Sequence, residues 1–332
     1  MLDKIISGQH LSQSEAETLM TRIMTGTLSE IQIAGYLTAL AAKGESEEEV
    51  TGFAKVMREK STKVPVTVNG DVLFDCCGTG GSRLHTFNIS TIVGIIAAAA
   101  GIKVAKHGNR SASSKCGSAD VLEMLGINLE EDVNSVADSI LKKNFGFMFA
   151  PFLHQAMKYV MPVRKGLAVR TVFNILGPLT NPANANTQLL GVFDPELTEI
   201  MARVLGNIGV KRAMVVHGEG GLDEISTLGK TKITELRNGD VQTYIIDVQE
   251  FGLPKATSRD IMGKDKEENA KMVIEILSGK KGPKRDIVLL NSAFALVLGN
   301  IATSPIDGIN KAAAIIDSGL ALEKLKDLKG AA

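Results

Sequence analysis

Residues 75–91 read Asp75-Cys76-Cys77-Gly78-Thr79-Gly80-Gly81-Ser82-Arg83-Leu84-His85-Thr86-Phe87-Asn88-Ile89-Ser90-Thr91 and hold the ingredients of an anion site. Glycines without a Cβ let backbone N–H groups close on a phosphate. The apolar run 92–100 that follows reads as a buried helix, whose start adds unpaired N–H groups and a positive dipole end. Ser90 and Thr91 are expected to cap that helix and to offer hydroxyls to a phosphate or a metal. No Gly-Lys-Ser/Thr closes the loop and the spacing is not G-x-G-x-x-G, so neither the Walker nor the dinucleotide pattern applies. Without further residues, an ordinary strand-to-helix loop is the competing reading.

A second polar stretch, Lys106-His107-Gly108-Asn109-Arg110, follows the apolar run 102–105, with Ser111, Ser113 and Ser114 behind it. Next, Lys115-Cys116-Gly117-Ser118-Ala119-Asp120 opens another helix. Such residues at a strand end suit ligand contacts, and a solvated basic turn is the alternative.

The elements that must position these stretches fall into two groups. Up to residue 61 the pattern is helical only. Ser12 with Glu15, and Ser46 with Glu49, are capping-box starts, and a helix beginning at Leu28-Ser29-Glu30 is stopped by Gly44. Residues 64–70 read as a linker. Beyond it, apolar runs at 72–74, 102–105, 145–149, 189–193 and 214–216 alternate with helical segments at 117–125, 129–142, 196–205, 265–277, 284–298 and 304–318. Strand–helix alternation predicts an α/β domain with a mostly parallel central sheet flanked by helices, whose ligands sit at strand C-terminal ends. Residues 230–248 read instead as a hairpin turning at Asn238-Gly239.

The whole chain bounds the function class. Its 332 residues carry no net charge, so nothing in the totals favours nucleic acid or anionic membrane, and with 4% aromatics and no Trp a stacking platform is not expected. The three cysteines, Cys76, Cys77 and Cys116, lack C-x-x-C spacing and read as thiols of a reducing compartment. No signal peptide is apparent, and the expected location is the cytoplasm.

Several blocks in register are similar to the signature of the anthranilate phosphoribosyltransferase family. They are Gly78-Thr79-Gly80-Gly81 with Asn88-Ile89-Ser90-Thr91, Lys106-His107-Gly108-Asn109-Arg110 with Gly117-Ser118-Ala119-Asp120-Val121-Leu122-Glu123, Val169-Arg170-Thr171-Val172-Phe173-Asn174 running on to Pro182, and Gly221-Leu222-Asp223-Glu224. The resemblance spans essentially the whole chain. It implies a small all-helical N-terminal domain, residues 1–63 with part of 164–182 packing on it, and a large α/β domain, residues 71–332, of nucleoside phosphorylase/phosphoribosyltransferase type. It implies a homodimer through the helical domain and transfer of phosphoribose from phosphoribosyl pyrophosphate to anthranilate in tryptophan biosynthesis, while the absence of net charge leaves no nucleic-acid or membrane partner expected. Carried over, Gly78, Gly81, Ser82, Thr86, Asn88, Ile89, Ser90, Thr91, Lys106 and Ser118 would hold phosphoribosyl pyrophosphate. Gly78, Asn109 and Arg164 would hold anthranilate, with His107 and His154 near its path. Ser90, Asp223 and Glu224 would hold Mg2+.

The chemistry agrees with these roles. Magnesium takes a few carboxylates plus substrate oxygens, which suits Asp223 and Glu224, although a loop salt bridge would use the same residues. Arg164 offers a planar fork for a carboxylate. An aniline-type nitrogen is neutral at pH 7, so no strong base and no covalent nucleophile are required. His107 and His154 invite an acid/base role, although a histidine in a polar loop is more often structural. The chain departs from the family at Ser82, where Asp is usual, at Gln155 after His154, at Ala168 and at Ser111. Losing the Asp removes a carboxylate beside the pyrophosphate, so weaker dependence on extra magnesium is expected. Pyrimidine nucleoside phosphorylase is the rival enzyme, and a non-catalytic nucleic-acid-binding relative is the rival of another class.

Overall fold

The computed structural model describes residues 1–82, 84–111 and 116–329; Ser113, Ser114 and Lys115 of the second polar stretch lie outside them. The N-terminal helices Gln13–Met24, Glu30–Lys43 and Glu47–Lys60 start where the capping signals predict. Ser12 accepts from Glu15 N–H at 3.3 Å while Glu15 takes the Ser12 N–H at 2.8 Å. Ser29 and Gln32, and Ser46 and Glu49, do the same. Three helices were expected here; a fourth, Leu2–Ile6, precedes them and is too short for periodicity to reveal.

The strands are β1 (Leu73–Gly78), β2 (Lys103–Gly108), β3 (Phe145–Phe149), β4 (Thr187–Gly191), β5 (Arg212–Gly218), β6 (Lys230–Arg237) and β7 (Asp240–Asp247). Among the described residues they form one sheet in the order β3-β2-β1-β4-β5-β6-β7. β1 to β5 are parallel, and β6 and β7 add an antiparallel hairpin. Asn238 (φ 52°) and Gly239 (φ 96°) turn that hairpin with both residues left-handed, as a type I′ turn requires. The order reverses at β1, which lies between β2 and β4, and this is the crevice where open α/β sheets hold ligands.

The helix Ile89–Ala99 is buried on nearly every side, with Ile89, Ile92, Ile95 and Ile96 each at most 1% exposed. Each such side chain contributes about 1.5–3 kcal/mol of burial. Gly94 lets the helix lie close on the sheet: a Cβ there would meet Phe145 at 3.3 Å and Cys76 at 3.4 Å. That approach brings the helix start down beside the ends of β1 and β2.

Two details differ from the sequence expectation. The segment 64–70 is more than a linker, since Val64 is 3% exposed and Val66 and Val68 pack with Leu73, Ala105 and Met148. The segment 150–179, to which no element was assigned from sequence, forms the short helices Ala150–Leu153, Met161–Leu167 and Phe173–Leu176. Val160, Val163, Phe173 and Leu176 from this segment share one core with the N-terminal helices and with Leu190 and Val215 of the sheet.

Candidate active site

β2 continues three residues beyond the expected run 102–105, so Lys106, His107 and Gly108 belong to the strand rather than to a loop after it. A pleated strand sends successive side chains to opposite faces. Lys106 therefore goes to the side of the helix Ile89–Ala99, where its Nζ donates to the Cys76 carbonyl at 2.5 Å and to Ser90 Oγ at 3.3 Å. It is a fully buried cation, 1% exposed. His107 goes to the other side and meets His154, Nε2 to Nε2 at 3.2 Å. Gly108 returns to the first side, where a Cβ would meet Ser118 Oγ at 2.3 Å. One alternating strand thus serves two chemically different faces.

On the first face, the cap of the helix Ile89–Ala99 is Asn88, not Ser90 or Thr91 as the sequence suggested. Asn88 keeps its backbone outside the helix, and its side chain donates to the Cys116 carbonyl at 3.3 Å while accepting from Asn269 at 3.2 Å. Ser90 and Thr91 fall in the first turn, and Ile89 is buried beneath them. Thr91 Oγ1 is buried without a hydrogen-bond partner among the described residues. Ser118 begins the helix Ser118–Met124 and donates to the Asn109 carbonyl at 3.3 Å, which ties the second polar stretch to this face. Thr86 bridges to Met262 and closes the rim.

Above β1 the glycine loop turns through Gly80 (φ 67°) and Gly81 (φ 78°), which only glycine takes without strain. Asp223 reaches into it: Gly80 N–H donates to Asp223 Oδ2 at 2.9 Å. A Cβ at Gly78 would meet that same oxygen at 2.2 Å, and one at Gly191 would meet the Asp223 carbonyl at 1.6 Å. Glu224 lies next to the backbone N–H of Ser90 at the helix start, with Lys106 close by. Asp223 therefore occupies, and Glu224 stands beside, N–H groups that a phosphate would seek. Neither has an ion-pair partner among the described residues, so the loop salt bridge is not what they form. Burial raises both carboxyls above the ordinary range, and the neighbouring Asp223 charge helps push Glu224 to about 8. Ser82 is local: its hydroxyl donates to the Leu84 carbonyl at 2.9 Å and accepts the Leu84 N–H at 3.2 Å.

On the opposite face, burial lowers His107 to about 3 and His154 to about 4, with the partner ring adding to the first and Lys63 to the second. Both are neutral at pH 7. The two Nε2 atoms share one hydrogen bond, with one ring donating and the other accepting. Beneath them Asp75, fully buried, accepts from Asn181 Nδ2 at 2.8 Å and from the His107 N–H at 3.2 Å. Asn109 uses its side chain on the Arg110 N–H at 2.7 Å, while Arg110 pairs with Glu123 and Asp120 at the surface. Arg164 lies on the helix Met161–Leu167, close after His154 in the chain. It is half-buried, 5.7 Å from the centroid of Phe173, with no hydrogen-bond or ion-pair partner among the described residues. Sequence reasoning passed over Asp75 and Asn181 as site supports. An acid inside an apolar strand was the available signal for the first, and Asn181 carried none of its own.

Two family models match the chain: one described as the helical bundle domain of the glycosyl transferase family, over residues 1–61, and one as the a/b domain of that family, over residues 70–322. The anthranilate phosphoribosyltransferase of Alkaliphilus metalliredigens is 52% identical over 327 residues, 98% of this chain and 96% of the relative. That of Acetivibrio thermocellus is 51% identical over 326 residues, 98% of this chain and 94% of the relative. Among solved structures, anthranilate phosphoribosyltransferase from Thermus thermophilus superposes with a TM-score of 0.93 at 41% identity, over 99% of this chain and 98% of that one. The Saccharomyces cerevisiae enzyme in complex with PRPP and Mg gives 0.90 at 29% identity, over 98% and 95%.

Proposed function

The chain belongs to the anthranilate phosphoribosyltransferase family, and on that premise we propose that it transfers 5-phosphoribose from phosphoribosyl pyrophosphate to the amino group of anthranilate, releasing pyrophosphate in tryptophan biosynthesis. The observation that carries the reading is the buried acid pair, with Asp223 on the Gly80 N–H and Glu224 beside the helix start, where the buried Lys106 reaches Ser90. Phosphate recognition needs N–H groups at a glycine loop and a helix start, and this chain brings both to one strand-end crevice.

On this reading Gly78, Gly81, Ser82, Thr86, Asn88, Ile89, Ser90, Thr91, Lys106 and Ser118 face the donor. Asp223, Glu224 and Ser90 fit a magnesium ion: two adjacent buried carboxyls without a cation resist ionising together, and a hard dication beside a hydroxyl and substrate oxygens would relieve that. When bound, magnesium would neutralise charge on the departing pyrophosphate. Lys106 supplies a fixed positive charge in a water-poor position, where it acts more strongly than at the surface. Gly78, Asn109 and Arg164 face the acceptor, with Arg164, half-buried and without an ion-pair partner among the described residues, available to the anthranilate carboxylate. The neutral His107–His154 pair lines the acceptor's path. Because both rings are held neutral, they orient the acceptor rather than provide a cation, and the neutral amine attacks without a covalent enzyme intermediate.

The same reading takes the chain as two domains, 1–63 with part of 164–182 and 71–332, and as a cytoplasmic homodimer. Ile31 (86% exposed) and Ile6 (67%) on the N-terminal helices supply apolar surface for the second copy. No helix among the described residues is long and apolar enough to cross a membrane. The deciding experiment follows loss of anthranilate fluorescence with phosphoribosyl pyrophosphate and magnesium, with aminobenzoate isomers and nucleosides as controls. Fluorescence that persists, together with phosphorolysis of a nucleoside, overturns the reading.

A further inference from the structure

The glycine loop is held from behind by a residue that neither substrate face uses. Arg170 lies in the coil after the helix Met161–Leu167, and its Nη2 donates to the Gly81 carbonyl at 3.0 Å. Its guanidinium stands 4.3 Å from the centroid of Phe193, and no described carboxylate pairs with it. Phe193 is tied to the same loop: its N–H donates to Thr79 Oγ1 at 3.1 Å, while Thr79 N–H donates to the Gly191 carbonyl at 2.9 Å. Arg170 and Phe193 face an open cavity of about 390 Å³ that Asp194 and His217 also line.

A planar trans peptide points its C=O and the following N–H in opposite directions. Drawing the Gly81 carbonyl toward Arg170 therefore turns the Ser82 N–H to the other side of the loop. Neither the Gly81 N–H nor the Ser82 N–H finds an acceptor among the described residues. Two successive glycines with positive φ leave this peptide easy to reorient unless something fixes it.

We propose that Arg170 is a positioning residue for the phosphate-bearing donor. It locks the Gly81–Ser82 peptide with its N–H presented to the substrate anion, and the Phe193 ring keeps the guanidinium plane in place. The cation lies on the carbonyl side of the peptide, so its effect on the donor passes through the backbone rather than through a direct ion pair. This assignment rests on the donor reading of the loop given above.

The test compares wild type with Arg170→Ala and Arg170→Lys. Affinity for magnesium–phosphoribosyl pyrophosphate is measured by calorimetry, Michaelis constants are measured for both substrates, and melting curves check the fold. Arg170→Ala should weaken the donor roughly tenfold, because one N–H donor to the anion is no longer held in place, with the anthranilate constant unchanged and the melting temperature lowered only slightly by the lost Gly81 contact. Arg170→Lys should recover part of the loss, because an ammonium reaches the same carbonyl but cannot stack as a plane. Equal donor affinity in wild type and Arg170→Ala overturns the assignment. So does a common shift of both substrate constants with a markedly lowered melting temperature, which marks a general structural role. A wild-type protein that binds the donor but leaves anthranilate unconsumed overturns the acceptor reading instead, and donor affinity alone then judges Arg170.

Discussion

The buried histidine pair makes the fold sensitive to mild acid. His107 and His154 are 7% and 8% exposed, and burial lowers them to about 3 and about 4 from an ordinary 6.5. Once unfolded, both rings take up protons as the pH falls through 6.5; folded, they refuse them until well below 5. Between those limits the unfolded chain binds more protons, so stability present above the unfolded value is lost as pH falls. Each ring contributes about 1.4 kcal/mol per pH unit, so moving from about pH 7.5 to about pH 5.5 should cost about 2.8 kcal/mol through this pair. Urea unfolding followed by circular dichroism at the two pH values, for wild type and for His107→Asn with His154→Gln, isolates the contribution. The variant starts less stable because it loses the mutual hydrogen bond, but the gap should narrow by about 2.8 kcal/mol at the lower pH. Stability profiles that run parallel would mean that the two rings already accept protons in the folded state, and the neutral pair would be wrong.

Arg164→Ala should raise the Michaelis constant for anthranilate roughly ten- to hundredfold and leave that for phosphoribosyl pyrophosphate nearly unchanged, since a charge-assisted bond is worth about 1.5–3 kcal/mol. A shift confined to the donor constant would put Arg164 on the wrong side of the site. Asp223→Asn with Glu224→Gln should abolish magnesium-dependent turnover while melting curves stay close to wild type, because an amide oxygen at 223 still accepts the Gly80 N–H. Wild-type activity across a magnesium titration would dismiss these acids as metal ligands. Ser82→Asp should give a rate that rises and then falls with free magnesium, whereas wild type should be inhibited little. Superimposable curves would leave Ser82 as the turn-former that its two bonds to Leu84 make it.

What the sequence made legible depended on how local the physics was. Capping boxes at Ser12, Ser29 and Ser46 act within four residues, and the helices begin there. The Asn238-Gly239 turn is equally local, because two left-handed residues suffice to specify the hairpin. The strand ends were misjudged for a physical reason. A polar side chain such as Lys106 or Asp75 reads as the end of an apolar run, yet each continues its strand because a partner elsewhere satisfies it: Ser90 and the Cys76 carbonyl for the first, Asn181 for the second. Those partners lie 16 to 106 positions away, and no short window of sequence contains them. The same distance hid Arg170, which stands 89 residues from the carbonyl it holds. Its block was legible as a motif, but a motif says only that residues travel together. That Arg170 faces the back of the glycine loop, while Arg164 six positions earlier lies over Phe173 without a partner, follows from the left-handed turn at Ala168 (φ 51°) between them. A helix carried on through 168 would keep the two arginines on one continuous element; the break lets one serve the loop and leaves the other open to an acceptor carboxylate.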